Sequence, residues 1–239
     1  MKRLIAISIL LLYLLCPASL FEQAIVVKHK AVAVPTFVQS GNNYAVSGSS
    51  VTVPATGTIT VSTGDIVVAA CSNAASTASF TITNTGFTLG SWHMAPFLVG
   101  NGPSLISGFA LVTSGGSGTF TCTPNFSTSY LGLSILDYSG GSSNTLNTSA
   151  VNANPSSSPV TISFTSTART LNVLCACINA GVGFTAGTIG GVSATMRQSS
   201  YFPVCESNLT TTSVSGGTAT MNFTSSNSQG AAQLLAISY

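Results

Sequence analysis

The chain has 239 residues, of which 4% are charged and 45% hydrophobic, and a formal net charge of +2. Lys2 and Arg3 supply that whole excess, because Lys28, Lys30, Arg169 and Arg197 balance Glu22, Asp65, Asp137 and Glu206 in the rest of the chain. No basic patch exists to neutralise phosphates, which excludes nucleic-acid binding, and the abundance of apolar residues in short β-branched runs excludes a disordered chain.

At the N-terminus, Lys2 and Arg3 precede a run from Leu4 to Leu15 that only Ser8 interrupts. This is a basic region followed by an apolar region of signal-peptide length, shorter than the roughly 20 residues a spanning helix needs. Ala18 closes a small-residue motif, Cys16-Pro17-Ala18, so residues 1–18 are expected to be removed; a later site after Ala24 places Glu22 at an unfavourable position. Leu14 and Leu15 stand where a lipid-attachment signal at Cys16 requires small residues. The mature chain is thus expected to be secreted or held at the cell surface, with no transmembrane segment. Residues 19–35 read as an N-terminal arm with two apolar runs, Ala24–Val27 and Ala31–Val34, and residues 36–239 as the folded domain.

The domain reads as strands throughout. Short runs lie near Phe37–Gln39, Val51–Val53, Thr58–Val61, Ile66–Cys71, Phe80–Thr83, Leu105–Val112, Thr119–Thr123 and Tyr130–Tyr138. The series continues near Val160–Phe164, Leu171–Asn179, Cys205–Leu209, Thr218–Phe223 and Ala231–Tyr239. Gly, Ser, Asn and Pro separate them, and no segment has a helical period with caps.

An internal repeat runs through these strands. Val67-Val-Ala-Ala-Cys-Ser-Asn-Ala74 matches Val173-Leu-Cys-Ala-Cys-Ile-Asn-Ala180, and Gly86-Phe-Thr-Leu-Gly90 matches Gly183-Phe-Thr-Ala-Gly187. Gly118–Thr123 matches Gly217–Asn222, and Leu133–Tyr138 matches Leu234–Tyr239, in the same order. The pseudo-repeats cover about 50–140 and 158–239, with Gly140 to Pro159 as their connection. The expected architecture is all-β: a single jelly-roll-like antiparallel sandwich into which both halves are wrapped. Two tandem domains are the alternative, disfavoured because each would have about 100 residues and few aromatic anchors.

Phe37-Val-Gln-Ser40, Thr63-Gly-Asp-Ile-Val-Val68, Gly86-Phe-Thr88 and Leu136-Asp-Tyr-Ser-Gly140 together resemble secreted bacterial jelly-roll, lectin-like β-sandwich proteins of unknown function. The resemblance covers most of residues 36–239. It implies the fold and an exported location, and its motifs are turns and strands that carry no catalytic residues. That group commonly has more charge, often with Glu where Asp137 stands here.

The mature chain carries five cysteines, Cys71, Cys122, Cys175, Cys177 and Cys205. In an exported protein these are disulfide candidates, and the odd number leaves one free. Cys175 and Cys177 face the same side of a strand, so one of them is expected to pair across strands with Cys205 or Cys71. Cys-x-Cys spacing is too tight for a structural zinc site and no His lies nearby, so no metal or other cofactor is expected.

His29 and His93 are the only histidines. A hydrolytic triad would have to combine His93 with Asp65 or Asp137, and no Gly-x-Ser-x-Gly elbow supports it. Asp65, Asp137 and Glu206 are too few for a paired-carboxylate cleft or a calcium loop. Trp92 and His93 in one loop, and Tyr201 and Phe202 in another, form a candidate glycan-binding platform, with Tyr44 and Tyr130 as further flat aromatics. Asn125, Asn147, Asn208 and Asn222 head Asn-x-Ser/Thr sequons and are glycosylation candidates.

The expected function is therefore that of an exported, non-catalytic structural protein of the cell surface or extracellular matrix that associates with itself, the N-terminal arm adding to a neighbour's sheet edge. A carbohydrate-binding module with an extracellular polysaccharide as partner is the alternative. A secreted hydrolase ranks third, resting only on His93 and the abundant serines.

Overall fold

Sheets dominate because the β-branched runs are too short and too frequently broken by turn residues to do anything else. The computed structural model describes residues 33–74, 79–99, 102–126, 128–140, 145–152, 158–178, 182–199, 202–224 and 229–239, and these contain no helix. The expected signal peptide and all but the last residues of the expected arm lie outside them.

The first half comprises β1 (Thr36–Gly48), β2 (Val51–Val53), β3 (Ile59–Val61), β4 (Ile66–Asn73), β5 (Phe80–Asn84), the short β6 (Thr88–Leu89), β7 (His93–Met94) and β8 (Leu98–Val99), then β9 (Ser104–Ser114), β10 (Gly116–Gly118), β11 (Phe120–Pro124) and β12 (Thr128–Ser139). The second half comprises β13 (Thr145–Asn152), β14 (Val160–Ser166), β15 (Thr170–Ile178), β16 (Val182–Ile189), β17 (Val192–Ser193), β18 (Thr195–Gln198), β19 (Val204–Thr210), β20 (Val214–Thr224) and β21 (Gly230–Ser238).

All thirteen predicted strands coincide with observed ones. Two turns of the prediction are strands instead. Thr145–Asn152, inside the expected connection, forms β13, and the second Gly-Phe-Thr motif lies within β16. Both have a bulge or irregular register, which is why their sequences lack clean alternation.

Every sheet is antiparallel, and among the described residues no strand of one half pairs with a strand of the other. The sheet β1-β12-β4-β9, extended by β6, β7 and β8, packs against two short sheets, β10-β3 and β2-β11-β5. The sheet β13-β21-β15-β19-β18 packs against β14-β20-β16-β17. Each pair of layers encloses its own core. In the first, Val67, Ala69, Cys71, Leu131, Leu133 and Ile135 of the large sheet meet Val53, Val61 and Phe120 of the short ones. In the second, Leu174, Ala176, Ile178 and Leu234 meet Ile162, Phe164, Met221 and Phe223. The single shared sandwich expected from the repeat is thus replaced by two sandwiches with separate cores.

The two large sheets lie back to back, so they are inner layers. Side chains pointing away from each core also bury there: Ile66, Val68 and Leu136 from one sheet, Leu171, Val173 and Leu235 from the other. Every residue of β4 and of β15 is consequently buried, while the outer strand β14 alternates strictly between buried and exposed. Polar side chains stitch the seam: Ser107 Oγ donates to Gln233 Oε1 (2.8 Å), Gln233 Nε2 to the Pro96 carbonyl (2.6 Å), and Ser134 Oγ to the Pro203 carbonyl. Gly132 has to be glycine, since a Cβ there would stand 1.8 Å from the Phe202 carbonyl oxygen of the other half.

Cys71 and Cys122 form a disulfide from β4 to β11, across the first core, and Cys175 and Cys205 form a second between directly opposed positions of β15 and β19. The expected cross-strand pairing with Cys205 is therefore present, through Cys175. Cys177 is free and buried in the seam. Alkylation of a chain that starts at residue 19 should label no cysteine in the native state and one, Cys177, when the protein is denatured without reductant; mass spectrometry showing two or more labels refutes this pairing. Replacing Cys71 and Cys122 together by Ala should cost about 2–4 kcal/mol in denaturant unfolding.

Candidate functional site

At one end of the seam β1 and β12 leave two tyrosines side by side. Tyr44 stands opposite Gly132 in the antiparallel ladder, and Tyr130, two residues before Gly132, projects on the same face. They are diagonal cross-strand neighbours, and their rings stack with centroids 6.1 Å apart and 28° between planes. Because Gly132 has no side chain, Phe202 of the second half closes over this position. Tyr44, Tyr130 and Phe202 line a cleft of about 410 Å³, completed by Ala74, Pro103, Cys177 and Ile178 from the ends of inner strands and their turns.

The lining carries no charged side chain. Tyr130 is 51% exposed and holds φ at +57°, a left-handed conformation that costs a bulky residue on the order of 1–3 kcal/mol and marks a position where the surroundings override local preference. Burial raises the Tyr44 phenol above its ordinary 10.0, helped by Tyr130 and Cys177. Burial also pushes the Cys177 thiol up to about 12, so it stays protonated and is not a nucleophile. What the cleft offers is flat apolar ring faces with hydroxyl groups at their rims, without acid, base or nucleophile.

Of the four residues expected to form a glycan platform, three are described, and among these Phe202 alone lines this cleft. Its ring meets Phe184 edge-on at 5.7 Å. Trp92 is half-buried and packs against the first core. His93 stacks on Phe109 with centroids 4.9 Å apart, pinned there by the pairing of β7 with β9. Tyr201 lies outside the described residues. Trp92 and His93 therefore serve the packing of the first half and do not join Phe202.

Among the described residues His93 is not brought to a carboxylate. Phe109 shares the seam-facing side of β9 with Ser107, whereas Asp137 shares the core-facing side of β12 with Ile135, so the inner sheet separates the two. Asp137 instead accepts a hydrogen bond from Gln39 Nε2 (2.9 Å), whose amide also reaches the Thr60 carbonyl of an outer strand. Asp65 accepts from the Ser62 amide (2.7 Å), closing the turn before β4. Its place after Thr63-Gly64 and directly before a strand is a turn position in the sequence as well.

Among the sequons, Asn125 and Asn222 are exposed. Asn147 falls on β13, and its side chain lies outside the described residues. Asn208 is a correction: it is buried, its amide donates to the carbonyls of Ile189 (2.8 Å) and Val192 (3.0 Å), and its oxygen accepts from Asn172 (3.1 Å). A glycan there is incompatible with the folded chain. Sequence reasoning passed over Gly132, whose role depends on a chain segment seventy residues away.

No protein-family model, curated protein or solved structure matches the chain.

Two buried carboxyls set the pH response. Burial, reinforced by Asp65 and opposed by the Gln39 bond, lifts Asp137 from 3.8 to about 6. Burial lifts Glu206 from 4.5 to about 7 against one hydrogen bond from the Gly187 amide (2.8 Å). The folded state thus retains protons that the unfolded state releases, and stability falls as pH rises from near 4 through 6 and 7. Thermal melts should give a higher Tm at pH 5 than at pH 8. Asp137→Asn with Glu206→Gln should flatten that slope; a Tm that rises between pH 5 and pH 8 in the wild type contradicts it.

Proposed function

We propose that this chain is an exported, non-catalytic β-sandwich protein of the cell surface or extracellular space that works by binding, with neutral carbohydrate as its ligand. The observation that carries this reading is the charge-free cleft walled by Tyr44, Tyr130 and Phe202. Sugars present an apolar C–H face that stacks on an aromatic ring and hydroxyls that bond to phenols, amides and backbone groups, and an uncharged lining favours an uncharged ligand. The two disulfides belong to a protein that matures in an oxidising compartment. No helix of the described residues is long and apolar enough to cross a membrane.

The strand orders support a jelly-roll reading of each half. First and last strands pair and the last then pairs with an interior strand (β1-β12-β4-β9 and β13-β21-β15-β19), while the second and penultimate strands pair in the outer layer (β2-β11 and β14-β20). This extends the resemblance to lectin-like sandwiches, although fold likeness alone is a weak warrant for function. The cleft moves carbohydrate binding ahead of self-association, reversing the order in which the sequence alone ranks them.

Self-association keeps one specific observation in its favour. β1 is the terminal strand of its sheet, has no charged residue, and leaves Val38 and Val46 at least half exposed (50% and 63%), where terminal strands usually carry protective charge.

In affinity electrophoresis through a panel of neutral polysaccharides, Tyr130→Ala and Tyr44→Ala should each weaken retention about tenfold, corresponding to roughly 1.4 kcal/mol, while Trp92→Ala should leave it unchanged. Retention lost in Trp92→Ala alone, or by no wild-type interaction at all, overturns the carbohydrate reading. Light scattering of the same wild-type sample addresses the second reading: oligomers that dissociate when residues 19–35 are deleted support it, and a monomer at all concentrations removes it.

A further inference from the structure

A second cleft opens at the other end of β1, about 230 Å³ in volume, and shares no lining residue with the aromatic one. Phe37 and Tyr44 bracket the two sites. Seven residues of strand separate them, roughly 20 Å. Where the aromatic cleft has no charge, this one holds Arg197, one of only two cations between Ala31 and the C-terminus.

Arg197 is set in place from three sides. Its guanidinium lies over the Phe37 ring, 4.4 Å from the centroid. Its Nε donates to Ser207 Oγ (2.9 Å). Its own carbonyl accepts from Ser40 Oγ (3.0 Å), which ties β18 to β1 across the seam. Stacking fixes the plane of the guanidinium and the Nε bond fixes its rotation, which leaves the terminal amino groups as the groups open to a ligand. Among the described residues no side-chain carboxylate faces them: Asp137 points into the first core, toward Gln39, Glu206 points toward Gly187 in the second sandwich, and Asp65 is held by the Ser62 amide.

Beside Arg197 lies a buried hydroxyl that faces Ser207 and Arg197 without completing a well-formed hydrogen bond to either. Tyr138 is 1% exposed, its ring meets Phe37 edge-on at 5.6 Å, and its hydroxyl, which lies near Ser207 and Arg197, makes no direct hydrogen bond. A buried hydroxyl without a partner is costly, and a phenylalanine would fill the same space without that cost. Tyr138 and Arg197 both line the cleft, together with Ser193, Thr195 and Ser207.

We infer that this cleft binds a carboxylate borne by a small molecule, with the Arg197 fork as the charge partner and the Tyr138 hydroxyl as a further donor. A planar guanidinium held by stacking matches a planar carboxylate through two parallel bonds. The single positive charge calls for a monoanion rather than a phosphate dianion, and the hydroxyl-rich rim accommodates a polar ligand body. The site does not rest on the carbohydrate reading of the aromatic cleft.

Titration calorimetry at low ionic strength and pH 7 tests the assignment with D-glucuronate, acetate, glucose and inorganic phosphate as probes. Glucuronate is expected to bind saturably and glucose not at this site. Acetate binding as well as glucuronate shows that the carboxylate alone is recognised; acetate binding more weakly shows that the ligand body adds contacts. Arg197→Gln should weaken binding at least tenfold. Tyr138→Phe, which keeps the buried ring and removes a hydroxyl that completes no well-formed hydrogen bond in the folded chain, should fold and weaken binding several-fold, which supplies a second test if Arg197→Gln fails to fold. Tyr44→Ala and Tyr130→Ala should bind the carboxylate normally. The assignment is overturned if no carboxylate binds, if phosphate binds more tightly than both carboxylates, or if affinity is unchanged in Arg197→Gln and Tyr138→Phe but lost in the tyrosine variants of the other cleft.

Discussion

Back-to-back packing of two inner sheets imposes the most demanding condition in this molecule, because strands covered on both faces have no side on which to place a polar residue cheaply. β4 and β15 meet it with Ile-Val-Val-Ala-Ala-Cys and Leu-Asn-Val-Leu-Cys-Ala-Cys-Ile runs in which every residue is buried. The outer sheets have only one face to cover and show ordinary alternation. Two small sandwiches within one compact unit, Ala33–Tyr239, gain a third apolar interface from each other, and the scarcity of charge along the inner strands follows from the same condition.

Purely apolar faces would slide, so the seam needs polar contacts to select one register. Gln233 bridges Ser107 and the Pro96 carbonyl, Ser134 reaches Pro203, and Ser40 reaches Arg197. Gly132 sets the closest approach, because any side chain there would strike the backbone of Phe202. Among the described residues the acids lie off the seam, on the core side of each sandwich, where no described cation accompanies them. Their burial keeps Asp137 and Glu206 protonated to unusually high pH, which makes the fold tolerant of acid and sensitive to alkali.

Twisted sheets packed face to face fit best at the centre and part company toward the ends of their strands. Both clefts lie where that happens, one near Phe37 and one near Tyr44 of the same strand. They differ in chemistry because different segments of the second half reach the two ends: the Phe202 turn closes the uncharged site and β18 delivers Arg197 to the other. β1 therefore links sheet edge, seam and both candidate binding sites.

Much of the fold was legible in the residues themselves. Strand positions, the all-β class, the repeat, the direction in which Cys175 and Cys177 point, and the turn role of Asp65 all follow from local pattern, since side-chain alternation and turn chemistry act over a few residues. Continuous burial of Ile66–Cys71 and Val173–Ile178 was also written there as unbroken apolar runs, but a run of that kind is equally consistent with one thick core and with two cores sharing a seam. Only tertiary structure decided between them. It also decided that Trp92 and His93 pack inward, that Tyr44 meets Tyr130 over Gly132, that Asn208 is interior, and that Arg197 stacks on Phe37 beside an unpartnered phenol. Each of these depends on register and on contacts between segments up to 160 residues apart, and the free energy that fixes such contacts is that of closing the whole seam, which no short stretch of sequence contains.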